Sequence, residues 1–147
     1  IMQTKSLTNN ILKHDCSELV TSYLIDNSIS ISFMESCTSG LLASKLTDTE
    51  GASAIFKGSY VTYSNDQKIK CGVDSLIIDQ YGVYSKECAN SMANATYNAF
   101  LSDISIGITG NTGNIGPNNP EGIVGEAYYS IKYKNQLYVC QCITEYL

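Results

Sequence analysis

The feature that most constrains this chain is the change of apolar period across short polar turns. Ile29, Ile31 and Phe33 alternate with Ser30, Ser32 and Met34, the period of two expected of a strand built from β-branched and aromatic residues. The strand ends at Glu35–Ser36, and Leu41, Leu42, Lys45 and Leu46 then follow helical spacing, with Thr38 or Ser39 able to cap the free N–H groups. A strand that turns at once into a helix predicts crossover connections and hence a sheet covered by helices.

The same alternation recurs along the chain. Ile11, Cys16, Leu19, Val20, Tyr23 and Leu24 predict an amphipathic helix over 10–27. Tyr60 to Tyr63 predict a second strand, and Ser64-Asn65-Asp66 the start of a short helix carrying Lys68 in its first turns. Helices are predicted over 74–80 and 85–101, the latter capped by Ser85, and Ile104, Ile106 and Ile108 alternate as a third strand. Residues 110–122 are packed with Gly, Asn and Pro and read as a long loop. Two strands, 124–133 and 136–143, close the pattern through a Lys134-Asn135 hairpin. The expected fold is α/β, three layers in an α/β/α arrangement, with a mixed, mostly parallel sheet of about five strands. At 147 residues without a compositional break, the sequence reads as one domain over 1–147.

Charge narrows the partners. The formal net charge is −5, with nine basic residues that are all lysine, so polyphosphates meet repulsion and lack the planar fork of arginine. Nucleic acid is not an expected partner. No apolar run approaches the roughly 18 to 20 residues that cross a bilayer, so no membrane partner is expected and the location is read as cytoplasmic. The six cysteines are scattered without companion histidines, which argues for reduced thiols over a zinc site or a disulfide framework. His14 is the only histidine and lies in a polar stretch, so a His-based triad would require it to fold back.

Ligands in open sheets bind beyond the carboxyl ends of the parallel strands. Three polar turns fall there: Glu35 to Ser39, Tyr63 to Lys68, and Thr109 to Asn114. Ser36 at a strand-to-helix turn has the exposure and neighbouring N–H groups that an acyl-transfer nucleophile needs, although Ser36, Thr38 and Ser39 would equally serve as helix caps. Cys37 is the rival nucleophile, because a thiol at a helix N-terminus has a lowered pKa. A serine needs a base, and Lys68 is the best placed, provided burial makes it neutral; as a solvated helix residue it would be inert. Glu35 can orient substrate, accept a proton, or be a strand-end charge.

Met34-Glu-Ser-Cys-Thr-Ser-Gly40, Tyr63-Ser-Asn-Asp-Gln-Lys68, Gly82-Val-Tyr-Ser85 and Gly107-Ile-Thr-Gly110 occur in order, and together they resemble the CinA C-terminal domain family, the nicotinamide-nucleotide amidases. The likeness spans roughly residues 10–143. It implies hydrolysis of the carboxamide of nicotinamide mononucleotide to nicotinic acid mononucleotide and ammonia, with no metal and no cofactor. Carried over, Ser36 is the nucleophile, Lys68 its base, Tyr63 a supporting hydroxyl and Thr109 a contact beside the reacting carbonyl. Glu35, Cys37, Thr38, Ser39, Gly40 and Gly110 fall with them in the motifs that line the substrate. The expected partner is a small pyridine nucleotide, with the chain forming a homo-oligomer.

The sequence departs from the family's pattern where Ser39 replaces a glycine, where Tyr84 replaces a small residue, and where Gly110-Asn-Thr-Gly-Asn replaces Gly-Ile-Ala-Gly-Pro. The family's arginine-containing motif after the last strand has no counterpart before Leu147. Either Lys57 or Lys70 holds the phosphate instead, or affinity falls by about 1.5–3 kcal/mol, the worth of a charge-assisted bond. The alternative function is a nucleotide-binding or interaction module that has kept the pocket and lost turnover.

Overall fold

The structure, a computed structural model, describes residues 16–113 and 122–143. In chain order these form α1 (Cys16–Asp26), β1 (Ile31–Glu35), α2 (Leu41–Thr47), a 3₁₀ turn (Ala52–Ala54), β2 (Phe56–Val61), α3 (Asn65–Lys70), α4 (Ser75–Tyr81), α5 (Lys86–Phe100), β3 (Ile104–Asn111), β4 (Glu126–Tyr133) and β5 (Gln136–Ile143). The predicted helix over 10–27 is seen from Cys16 on; its earlier residues, with His14, lie outside the described residues.

The five strands form one sheet in the order β2-β1-β3-β4-β5. β1 pairs in parallel with β2 and with β3, while β3–β4 and β4–β5 are antiparallel. The α/β class and the mixed sheet are as expected. The parallel part is confined to three strands, because only the connections after β1 and β2 pass through helices, and β4 runs into β5 by a hairpin.

One sheet face is covered by α5, with Met34, Val73, Val83, Cys88, Met92 and Ala95 as its buried core. The other is covered by α1 and α2, where Leu24, Ile31, Phe33, Leu46 and Ile55 pack together. β1 is buried along its whole length because it is central and covered on both faces. The chain leaves β1 toward β2 over the α2 face and reaches β3 over the α5 face, so the carboxyl end of β1 is the sheet's topological switch point. Ser36 is the residue that follows it.

Three helices begin as their sequence suggested, each with a side-chain oxygen accepting an N–H: Ser64 from Gln67, Asp74 from Leu76, and Ser85 from Cys88. β3 runs to Asn111, past the point where Gly110 suggested a loop. Residues 114–121 of the predicted loop lie outside the described residues. Among the described residues, no helix is long and apolar enough to cross a membrane.

Candidate active site

Lys68 is 2% exposed, an unusual position for an ammonium-bearing side chain on a short helix. Its Nζ lies 2.9 Å from Ser36 Oγ and donates to the Thr62 carbonyl oxygen at 2.8 Å. Burial pushes the Lys68 pKa below its ordinary value, against the opposing pull of the Cys88 and Cys37 thiols. Ser36 is itself only 7% exposed. A hydroxyl within hydrogen-bond reach of an amine driven toward its neutral form is the geometry of a nucleophile and its base.

The turn after Ser36 is organised by Glu35, which is fully buried. Alternation along β1 sends Glu35 to the α2 face and Ser36 to the α5 face. The Glu35 carboxylate accepts from Thr38 Oγ1 at 2.7 Å and from the backbone N–H groups of Gly40, Leu42 and Ala43, each at 3.0 Å. Ser59 Oγ adds a longer contact at 3.4 Å. The expectation that Glu35 touches substrate is therefore corrected: it caps α2 from below the turn. Thr38 likewise serves the carboxylate, and the expected Thr38 or Ser39 cap is absent because Glu35 reaches the same donors first.

Ser39 has φ 49° and Gly40 φ 94°, so both hold left-handed backbone that only glycine adopts without strain. Ser39 keeps the turn's path at a cost in conformational strain. Within the turn, the Ser36 N–H donates to Ile108 O, Ser39 to Ser36 O, and Leu41 to Thr38 O. The Cys37 and Thr38 N–H groups are directed toward the Cys37 sulfur.

Cys37 differs from its expectation. Burial raises its thiol pKa, more than the two N–H groups and the distant Lys68 charge lower it, so the helix-terminus argument for a reactive thiolate does not hold. The first turn of α2 is already neutralised by Glu35.

Tyr63 stands 74% exposed and makes no hydrogen bond to Ser36 or Lys68. The second contact on Lys68 comes instead from the carbonyl of Thr62, a residue the sequence did not single out because any residue type supplies a carbonyl. Thr109 is fully buried and its hydroxyl donates to Val83 O at 2.8 Å, which ties β3 to the turn before α5 and takes its proton away from a ligand. Gly110 is required by strand packing: a Cβ there would meet Glu126 O at 2.6 Å and Ala127 Cα at 2.7 Å. Of the lysines considered for phosphate, Lys57 lies near Asp103 at the far end of the sheet, and Lys70 is exposed in the last turn of α3. No group of three His, Cys, Asp or Glu side chains among the described residues is placed to hold a metal ion.

A family model described as the CinA C-terminal domain matches residues 13–145. A CinA-like protein of Fervidobacterium nodosum is 40% identical over 97 residues, which is 65% of this chain and 24% of that protein. A CinA-like protein of Dictyoglomus thermophilum is 38% identical over 121 residues, 82% of this chain and 29% of that protein. The chain thus spans about a quarter of the length of the curated relatives it matches. Among solved structures, a competence-damaged protein (CinA) superfamily protein from Escherichia coli matches with a TM-score of 0.80 at 26% identity, covering 87% of this chain and 74% of that one.

Proposed function

The chain belongs to the CinA C-terminal domain family, and from that premise we propose that it is an amidase that hydrolyses the carboxamide of nicotinamide mononucleotide to nicotinic acid mononucleotide and ammonia. Ser36 Oγ attacks the carboxamide carbon while its proton passes to neutral Lys68 Nζ. The developing oxyanion is met by backbone N–H groups of the turn that follows Ser36, and Lys68 returns the proton to the departing nitrogen, leaving an ester on Ser36 and ammonia. Water then attacks the ester, with Lys68 again accepting and returning a proton, and the acid is released. The reaction balances with one water consumed, and every proton movement uses the same amine.

The observation that carries this reading is the 2.9 Å approach of Lys68 Nζ to Ser36 Oγ, with both groups buried. The test is ammonia release from nicotinamide mononucleotide by the wild-type chain, Ser36→Ala and Lys68→Ala. Turnover lost in both variants supports the dyad, and turnover that survives Ser36→Ala overturns it. A second reading, a module that binds the nucleotide without turning it over, draws on the changed Gly110-Asn-Thr-Gly-Asn segment that begins at the end of β3. Tight binding without ammonia release by the wild-type chain favours it.

A further inference from the structure

Beside the dyad lies a buried hydroxyl that the Ser36–Lys68 chemistry leaves unused. Thr62 is 1% exposed, and its Oγ1 has no hydrogen-bond partner among the described residues. Its backbone is engaged on both sides: the N–H donates to Glu35 O at 2.8 Å, and the carbonyl oxygen accepts from Lys68 Nζ at 2.8 Å. A hydroxyl taken out of water without a partner costs free energy, so its retention calls for a physical reason.

Alternation along β2 gives the direction of this side chain. Tyr60 packs against the core under α5, and Val61 Cγ2 lies 3.7 Å from where a Cβ on Gly40 would stand, on the α2 side. Thr62 therefore turns toward α5, the face that carries Ser36. Bond lengths alone keep Oγ1 within about 4 Å of the carbonyl oxygen of its own residue, the atom that holds the amine. Rotation about χ1 re-aims the hydroxyl among staggered positions, and among the described residues it breaks no hydrogen bond in doing so.

The number of N–H groups on Lys68 changes when it acts as a base. The neutral amine has two and a lone pair, which must face the Ser36 hydroxyl at the moment of transfer; the ammonium has three. One of the three faces Ser36 Oγ, one is taken by Thr62 O, and the third has no acceptor among the described residues. The titratable groups that act on the amine there are Cys88 of α5 and Cys37 of the turn. Burial raises both thiols, Cys88 to about 11, so both stay neutral and are weak acceptors.

We propose that Thr62 Oγ1 receives the third N–H of Lys68 when the amine takes up a proton, which makes Thr62 a positioning residue for the base. The bond forms with the ammonium and not with the neutral amine that begins the reaction, so it stabilises the transition state over that resting form. Its part in turnover rests on the amidase reading, whereas the bond to the ammonium is a property of the folded chain alone.

Thr62→Val keeps the side-chain shape and removes only the hydroxyl; Thr62→Ala is a second variant without it. In protein carrying isotope-labelled lysine, the Cε resonance missing from Lys68→Met reports the Lys68 titration by NMR. Loss of the acceptor disfavours the charged form, so the midpoint falls by about one pH unit in both variants, and Thr62→Ser restores it. Ammonia release from nicotinamide mononucleotide follows the same shift. The plateau of kcat/KM falls about tenfold and the rising limb moves about one unit lower, so variant and wild-type profiles coincide on the acid side. A merely structural defect lowers the whole profile and leaves its centre in place. An unmoved midpoint in the folded variants, or a shift that Thr62→Ser does not reverse, overturns the proposal. A shifted midpoint in a chain that releases no ammonia overturns the amidase and leaves the Thr62 bond standing.

Discussion

Lys68 Nζ and Ser36 Oγ, 32 positions apart in sequence, meet at 2.9 Å inside the protein, and the amine's other contact is a neutral carbonyl oxygen rather than a carboxylate. Among the described residues no carboxylate contacts the amine, which matters as much as the distance, because a carboxylate there would hold the lysine charged and useless as a base.

The first prediction concerns pH. If Lys68 acts when neutral, kcat/KM rises with pH through its folded pKa, which burial holds below 10.5. The rising limb of the pH profile is therefore centred below the ordinary lysine range. A limb centred at or above 10.5 contradicts the assignment.

Stability follows the same linkage. Between the lowered folded value and 10.5 the unfolded chain holds a proton that the folded chain has released, so stability rises with pH across that window by up to about 1.4 kcal/mol per pH unit. Lys68→Met lacks this dependence. Urea unfolding at a series of pH values shows the variant's advantage shrinking as pH rises; parallel curves for the two proteins count against a depressed lysine.

Glu35→Ala removes the acceptor of three backbone N–H groups and the Thr38 hydroxyl. The expected loss is about 2–4 kcal/mol, and Glu35→Gln loses about half as much because the amide oxygen still accepts. Thermal melts measure both. A neutral effect of Glu35→Ala returns the residue to the surface role that a strand-end charge suggests.

Ser39→Gly relieves left-handed strain worth about 1–2 kcal/mol and adds about 0.5–1 kcal/mol of chain entropy to the unfolded state. The variant is accordingly more stable by about 0.5–1 kcal/mol, with a Tm higher by about 2–3 °C. A lower Tm indicates that the 3.4 Å contact of Ser39 Oγ with Ser36 O contributes more than its length suggests.

Cys37 has a raised thiol pKa, whereas Cys16 and Cys140 are exposed. Iodoacetamide at neutral pH modifies the two exposed cysteines before Cys37, as read by peptide mass spectrometry, and Cys37→Ala keeps turnover within a few-fold. Preferential labelling of Cys37 makes it the nucleophile to reconsider.

The sequence by itself determined the elements, and with them the α/β class. Periods of two and of 3.6, the Ser85 cap and the Lys134-Asn135 hairpin are properties of one element and its neighbours along the chain, so they can be read without knowing what packs where. Ser36 and Lys68 were legible as candidates because each sits in a distinctive local motif. The tertiary structure decided which groups meet and which charges are sheltered from water. Strand order set β1 between β2 and β3, and burial against α5 made the Lys68 amine a plausible base. Pleat parity turned Glu35 away from the site, and the partners reached through the sheet engaged Thr109 and left Tyr63 in solvent. Distance and desolvation arise only when remote segments share a core, and no spacing along the chain encodes them.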